Sequence, residues 1–276
     1  MSIGRFLAFC AGLALAGPTA AEQAAHCWYP FNGKVGCENS SPLTASGTLK
    51  QGIHAILAIP VQRYGHNILG DTPEWGALRF GVQGSAEHGP YPWAELKLPK
   101  SRIFEDVAPR LVDISGDGKP EILVVETDLN KGARLAAYRA DQAGEEITLL
   151  AATPYIGTPY RWLAPIGVAD FNGDGMMDVA YVDRPHLAQI LRVWTLSGDK
   201  LVEIAKLGSV TNHRIGDNSI SSGVRDCGAG PEMLMHDPSW NKLLAVRFAG
   251  GLLEKREIGR YKSASSLRRA LACKPL

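Results

Sequence analysis

The chain has 276 residues, of which 45% are hydrophobic and 21% charged, and its formal net charge is +1. This hydrophobic fraction excludes a disordered chain, and the near-zero net charge argues against nucleic acid or an anionic membrane surface as a partner. The 30 glycines and 17 prolines are scattered along the chain, which is typical of many short strands separated by turns.

The first 21 residues have the features of a secretory signal peptide. Arg5 supplies positive charge, residues 6–16 form an apolar stretch, and small residues ending at Ala21 mark a cleavage site. The apolar stretch is too short to span a bilayer. We therefore expect an exported protein, periplasmic or extracellular, with no stable membrane anchor after cleavage. An uncleaved anchor is the alternative.

Four cysteines follow the predicted signal peptide, and an even number in an exported chain predicts two disulfides. Three pairings are possible. We favour the two that join neighbours in the chain, Cys27 with Cys37 and Cys227 with Cys273. Metal binding by these thiols is the weaker alternative, because the sequence contains no C-x-x-C pair.

After an irregular lead-in at 22–52, the chain shows an internal repeat. Residues 111–125 and 168–182 share an apolar run, the pattern D-x-[SN]-G-D-G-x-x-[DE] and a second apolar run, 57 residues apart. Looser copies precede and follow them, and each unit holds about four candidate strands. The predicted units span about 53–108, 109–163, 164–219 and 220–260, and a tail at 261–276 includes a short helix at 265–271.

Four strands per unit, repeated at a step close to 50 residues, is the pattern of propeller blades. The sequence therefore predicts an all-β fold, a small β-propeller of about four four-stranded blades. A fifth blade, shared between the lead-in and the tail, is the alternative.

The repeated acidic loops have the pattern of a cation site. Oxygen ligands at positions one, three, five and nine, with a carbonyl at position seven, can surround one Ca²⁺ ion, which takes about six to eight oxygens. An EF-hand would need Glu at position twelve, where Val124 and Tyr181 stand instead. The competing interpretation is a pair of metal-free Asp/Gly turns. The candidate ligands are Asp113, Ser115, Asp117, Lys119 and Glu121 in the first loop, and Asp170, Asn172, Asp174, Met176 and Asp178 in the second.

Over residues 105–210 these loops resemble the FG-GAP or VCBS-type repeats of integrin α-chain propellers and of many exported bacterial proteins. The resemblance implies a propeller fold and calcium bound between the first two strands of a blade. Ser115 departs from the family pattern, so we expect the first loop to bind calcium less tightly. The corresponding third loop, after Asp226, lacks the ligands. The family serves adhesion, recognition and scaffolding alike, and it implies no particular activity.

The sequence contains no catalytic motif that we could identify, which favours a binding or scaffold module, with a protein or glycan ligand, over an enzyme. Four polar residues near blade connections form a candidate ligand pocket: His186, His213, Arg214 and Asp226. An exported hydrolase or lyase acting through this pocket is one alternative. A lectin-like carbohydrate binder is another, although the six tryptophans are better explained as packing between blades.

Overall fold

The computed structural model describes residues 27–28, 36–37, 46–50, 53–70, 73–82, 93–141 and 146–276. The predicted signal peptide and most of the predicted lead-in lie outside these residues. None of the helical structure in the described ranges is long and apolar enough to cross a membrane.

The described residues form nineteen strands and one helix. The strands are β1 (Cys27–Trp28), β2 (Gly36–Cys37), β3 (Ser46–Lys50), β4 (Ile53–Val61), β5 (Glu74–Val82), β6 (Trp93–Lys97), β7 (Arg102–Phe104), β8 (Arg110–Val112), β9 (Glu121–Asp128), β10 (Gly132–Ala140), β11 (Ile147–Ala152), β12 (Leu163–Ala169), β13 (Asp178–Asp183), β14 (Ile190–Ser197), β15 (Lys200–Gly208), β16 (Gly223–Asp226), β17 (Pro231–His236), β18 (Lys242–Ala249) and β19 (Leu252–Arg260). The helix α1 is Ala264–Leu271. The fold is all-β with antiparallel sheets, as the sequence predicts.

Strand pairing follows chain order within four successive meanders, β3–β6, β8–β11, β12–β15 and β16–β19. The last two meanders are separate four-stranded sheets. The first two belong to one nine-stranded sheet, because the short strand β7 pairs with both β5 and β9. No backbone pairing among the described strands joins the last sheet to the first.

Apolar side chains fill the space between successive meanders. Leu57 and Phe104 lie in the cluster between the first two, Trp162 in the next and Met233 in the third. The regular alternation of strand residues provides each sheet with two such faces. Burial of each large side chain stabilises the fold by about 1.5–3 kcal/mol, so these three clusters hold the meanders together side by side.

Close approach between two of the sheets depends on glycine. A Cβ atom at Gly167, on β12, would stand 2.6 Å from Cγ2 of Val224 on β16. That distance is far inside van der Waals contact, so a larger residue at position 167 would push the third and fourth meanders apart.

The helix α1 covers the outer face of the last sheet. Leu267 and Ala270 pack against Leu234 and Leu243. Ser263 stands at the N-cap but makes no side-chain capping hydrogen bond, so packing rather than capping accounts for the helix.

A disulfide joins Cys227 to Cys273, with an S–S distance of 2.00 Å, and the predicted pairing is thereby confirmed. It ties the turn after β16 to the end of α1. The backbone places Cys27 opposite Cys37 in the β1–β2 pair. Their side chains lie outside the described part of the chain, so that disulfide stays a prediction.

Candidate functional site

The two acidic loops connect the first strand of a meander to the second, β8 to β9 and β12 to β13, and they adopt the same backbone fold. Asp113 accepts hydrogen bonds from the amides of Gly116 (2.7 Å) and Gly118 (2.8 Å). Asp170 likewise accepts from the amides three and five residues later, at 2.7 and 2.9 Å. The glycines at position six, Gly118 and Gly175, have φ of 83° and 86°, which non-glycine residues rarely adopt.

The acids at position nine differ between the loops, although both are buried. Glu121 accepts from the amide of Ile114 (2.9 Å) through Oε2 and pairs with Arg139 (3.1 Å) through Oε1. Asp178 accepts from the amide of Phe171 (3.1 Å) through Oδ2, while its buried Oδ1 has no hydrogen-bond partner. One acid is therefore neutralised by an arginine, and the other retains an unpartnered buried oxygen.

Burial raises the pKa of Asp178, and the nearby Thr195 side chain and the hydrogen bond from the Phe171 amide offset this effect in part. A buried carboxylate oxygen without a partner is costly. A cation placed beside it would remove both the desolvation cost and the upward pKa shift.

The other predicted ligands of the second loop also lie together. The Asn172 side chain donates to Asp174 Oδ2 at 2.9 Å, and Asp174 Oδ1 accepts from the amide of Met176 at 2.8 Å. In the first loop Ser115 contacts Asp113 at 3.5 Å, and the Lys119 amide donates to Asp117 at 2.8 Å.

Both loops thus present oxygens of the hard type that Ca²⁺ prefers. Across the described ranges, no three His, Cys, Asp or Glu side chains form a group that could hold a metal ion. The loop oxygens accept hydrogen bonds from backbone amides, and these hydrogen bonds hold each loop in its curled conformation.

Asp226 is the last residue of β16, where the corresponding turn of the last sheet begins, and it does not lie with the other predicted pocket residues. It accepts from the amides of Gly228 (2.7 Å) and Gly230 (3.1 Å). The acid at the end of this turn, Glu232, accepts from both Arg225 and Arg256. The third loop keeps the turn but has lost the acidic ligand set.

His186 and His213, which the sequence places 27 residues apart, are in contact at the other end of the strands. His186 Nε2 lies 3.1 Å from His213 Nδ1, and His213 Nε2 lies 2.8 Å from the Asp217 carbonyl oxygen. Because a carbonyl only accepts, His213 donates through Nε2 and accepts through Nδ1. His186 must then donate through Nε2, which leaves its Nδ1 as an acceptor.

Burial lowers the pKa of His186 to about 4, with a further contribution from the neighbouring His213. Burial also lowers the pKa of His213, which packs edge-on against Trp162 with the ring centroids 4.8 Å apart. Both imidazoles are therefore neutral at pH 7, consistent with the hydrogen-bonded chain just described.

Arg214 belongs to a second histidine cluster. Its guanidinium lies 4.2 Å from the ring centroid of Trp240, which stacks on the buried His236 at 4.1 Å. His236 Nε2 is 2.9 Å from the Ser221 hydroxyl. The predicted pocket set is thus divided among three places, and only His186 and His213 are in direct contact.

Several residues that lie around His186 were not predicted from the sequence. His66 Nδ1 is 2.7 Å from Oε1 of the buried Glu105. The Thr127 hydroxyl donates to the other carboxylate oxygen of Glu105, at 2.8 Å. The ring of Tyr160 stacks on Tyr64, 4.8 Å apart and within 6° of parallel. Tyr64 and His66 both lie in the connection between β4 and β5, which carries no repeated motif. The pocket is a cavity of about 190 Å³ lined by His66, Ile68, Tyr160, Arg161, Trp162, Arg184, His186, Leu187 and Ile215.

The described tryptophans are mostly packing residues. Trp75, Trp162 and Trp194 are buried, and Trp240 stacks on His236. The side chains of Trp28 and Trp93 lie outside the described part of the chain.

Comparison with known proteins supports the resemblance seen in the loops. Residues 113–181 match the family model described as an FG-GAP-like repeat, so the chain contains such a repeat, from the first acidic loop to the strand after the second. No curated protein sequence matches the chain. One similar solved structure is a type IV secretion system related protein from Xanthomonas, with 12% identity, 79% of this chain and 95% of that chain covered, and a TM-score of 0.33.

Proposed function

We propose that this FG-GAP-like repeat protein is an exported, β-propeller-like binding module in which the second acidic loop binds Ca²⁺. One observation carries the proposal. The buried Asp178 Oδ1 has no hydrogen-bond partner and belongs to a loop whose spacing and backbone fold repeat those of the first loop. A lone acidic turn would need no such buried oxygen, whereas a cation site does.

The residue types of the second loop fit calcium, and their side chains would have to move together from their present hydrogen bonds to surround the ion. Asp170, Asn172, Asp174 and Asp178 would provide side-chain oxygens, and the Met176 carbonyl would add another. The two positive charges of the ion would offset most of the negative charge of three carboxylates and fix the connection between β12 and β13. Calcium thus has a structural role in this proposal.

In the first loop, Arg139 already neutralises Glu121, and Ser115 is a neutral hydroxyl ligand. A cation there would have to compete with the arginine for the carboxylate. We expect the first loop to bind calcium more weakly than the second, or to be held without metal by its arginine.

Two observations support the remaining parts of the proposal. The Cys227–Cys273 disulfide favours an oxidising, exported location. Four meanders in chain order, packed side by side through three apolar clusters, favour a propeller-like arrangement of blades.

Thermal unfolding tests the calcium proposal. Millimolar Ca²⁺ should raise the melting temperature over that in excess chelator, because a site at 100 times its Kd gains about 2.7 kcal/mol. Asp178→Asn should abolish the shift. Asp199→Asn provides a matched control, since Asp199 lies in the β14–β15 turn of the same sheet and should leave the shift intact. The proposal fails if calcium has no effect on the wild-type protein, or if both variants respond alike.

A further inference from the structure

The pocket beside His186 has an exposed apolar rim. Tyr160, Leu187 and Ile215 are 50%, 63% and 71% exposed, and all three line the same cavity. Single exposed apolar residues are ordinary on a protein surface, but a group of them around one concave site is typical of a binding site.

The polar part of the pocket carries two guanidinium groups, of which that of Arg184 is paired with Asp183. Arg161 and Arg184 line the cavity, and no Asp or Glu side chain of the described residues does. Arg184 donates through Nε and Nη2 to Asp183, at 2.8 and 3.0 Å. This ion pair does not involve Nη1, which could donate to a bound anion. The Glu105 carboxylate, which lies behind His66, is already engaged by His66 and Thr127.

Two of the lining residues have strained backbones. Tyr160 and Arg184 have φ of 55° and 45°, a region that costs a non-glycine residue free energy and that concentrates at binding and catalytic sites. Tyr160 is held in place because its ring stacks on Tyr64 and its amide donates to the Tyr64 hydroxyl. The fold thus holds one aromatic ring and one guanidinium at the pocket in an otherwise unfavourable conformation.

We propose that this pocket binds a small carboxylate with an apolar or aromatic body, either as a free acid or as the C-terminal residue of a polypeptide. Arg184 meets the carboxylate, with Arg161 nearby, while Tyr160, Leu187 and Ile215 contact the body. The volume of about 190 Å³ equals that of roughly six water molecules, enough for one ring or side chain. The proposal rests on the binding-module function and names the chemistry of its ligand.

Isothermal titration of the full chain with 3-phenylpropionate and with 3-phenylpropionamide tests the proposal, since the two differ only in the carboxylate. The acid should bind and the amide should bind at least about ten-fold more weakly, as expected for loss of a charge-assisted hydrogen bond. Arg184→Gln should weaken binding of the acid by a similar factor. A tripeptide with a C-terminal phenylalanine carboxylate distinguishes the sources: its binding indicates capture of a chain end, and its failure beside a bound free acid indicates a small-molecule ligand.

Ile215→Ala removes an exposed rim side chain and should also weaken binding, whereas Leu252→Ala removes an equally exposed leucine on β19 and should not. These two surface variants keep the test decisive if Arg184→Gln does not fold. The titrations are run in calcium and again in chelator, and also with the Asp178→Asn variant, which should lose the metal site but retain the pocket. Failure of the calcium proposal can thereby be distinguished from failure of the pocket proposal. Equal binding of acid and amide, or binding of neither the acid nor the tripeptide, would overturn the proposal.

Discussion

Lowering the pH below 6.5 should destabilise the fold through the buried His236. Its side chain is fully buried between Trp240 and Tyr261, and burial lowers its pKa to about 4. The unfolded chain, with an ordinary pKa near 6.5, takes up the proton more readily than the folded protein between these values. The stability that neutral His236 contributes is therefore present above pH 6.5 and is lost as the pH falls towards 4.

The size of the effect follows from the two pKa values. At pH 5 the imidazole of the unfolded chain is almost fully protonated and that of the folded protein almost neutral, which corresponds to about 2 kcal/mol of lost stability. Urea denaturation at pH 7 and pH 5 in chelator measures the loss. His236→Phe keeps an aromatic ring in the stack but cannot titrate, so its loss should be smaller than that of the wild-type protein by about 2 kcal/mol.

The pKa values of His54, His186 and His213 are also lowered. Because both proteins retain these three histidines, the difference between their losses of stability measures the contribution of His236 alone. An NMR titration of the His236 imidazole provides an independent check. Equal losses in the two proteins, or a folded-state pKa near 6.5, would refute the reasoning.

Three further predictions concern packing, the disulfide and a loop. Gly167→Ala should destabilise the protein by about 1–3 kcal/mol through the clash with Val224, and urea denaturation of the double variant with Val224→Ala should recover most of the loss. Replacing both Cys227 and Cys273 with Ala should cost about 4 kcal/mol in the same assay, because the bridged residues are 46 apart; a cost below 1 kcal/mol would contradict the role assigned to the bridge. Gly175→Ala should cost about 1–2 kcal/mol from its positive φ alone, since no atom crowds the position, and Gly175→Asn should cost less.

The acidic loops could be identified from the sequence because their geometry is local. Each one places its Asp and Gly residues within nine positions, so spacing alone indicates which groups meet. The first and last of these residues also mark where one strand ends and the next begins. Distant pairing could not be foreseen, because the joining of the first two meanders depends on three residues of β7 that pair with β5 and β9.

The pocket was only partly predictable for the same reason. It is assembled from connections that lie more than 100 residues apart in the chain, and His186 is the one lining residue among the predicted pocket residues. Asp226 follows His213 closely in sequence, yet β16 runs between them, and three residue steps along a strand carry the chain about 10 Å. Tyr160 and Arg184 owe their role to a backbone conformation that the sequence does not reveal.

The most direct test of the account is a calorimetric titration of the chain with Ca²⁺, because it counts the sites as well as detecting them. We expect one tighter site that disappears in Asp178→Asn and persists in Asp199→Asn. A weaker second site, where present, should strengthen when Arg139→Gln frees Glu121. A titration without heat of binding, or a tight site that survives Asp178→Asn, would contradict the account.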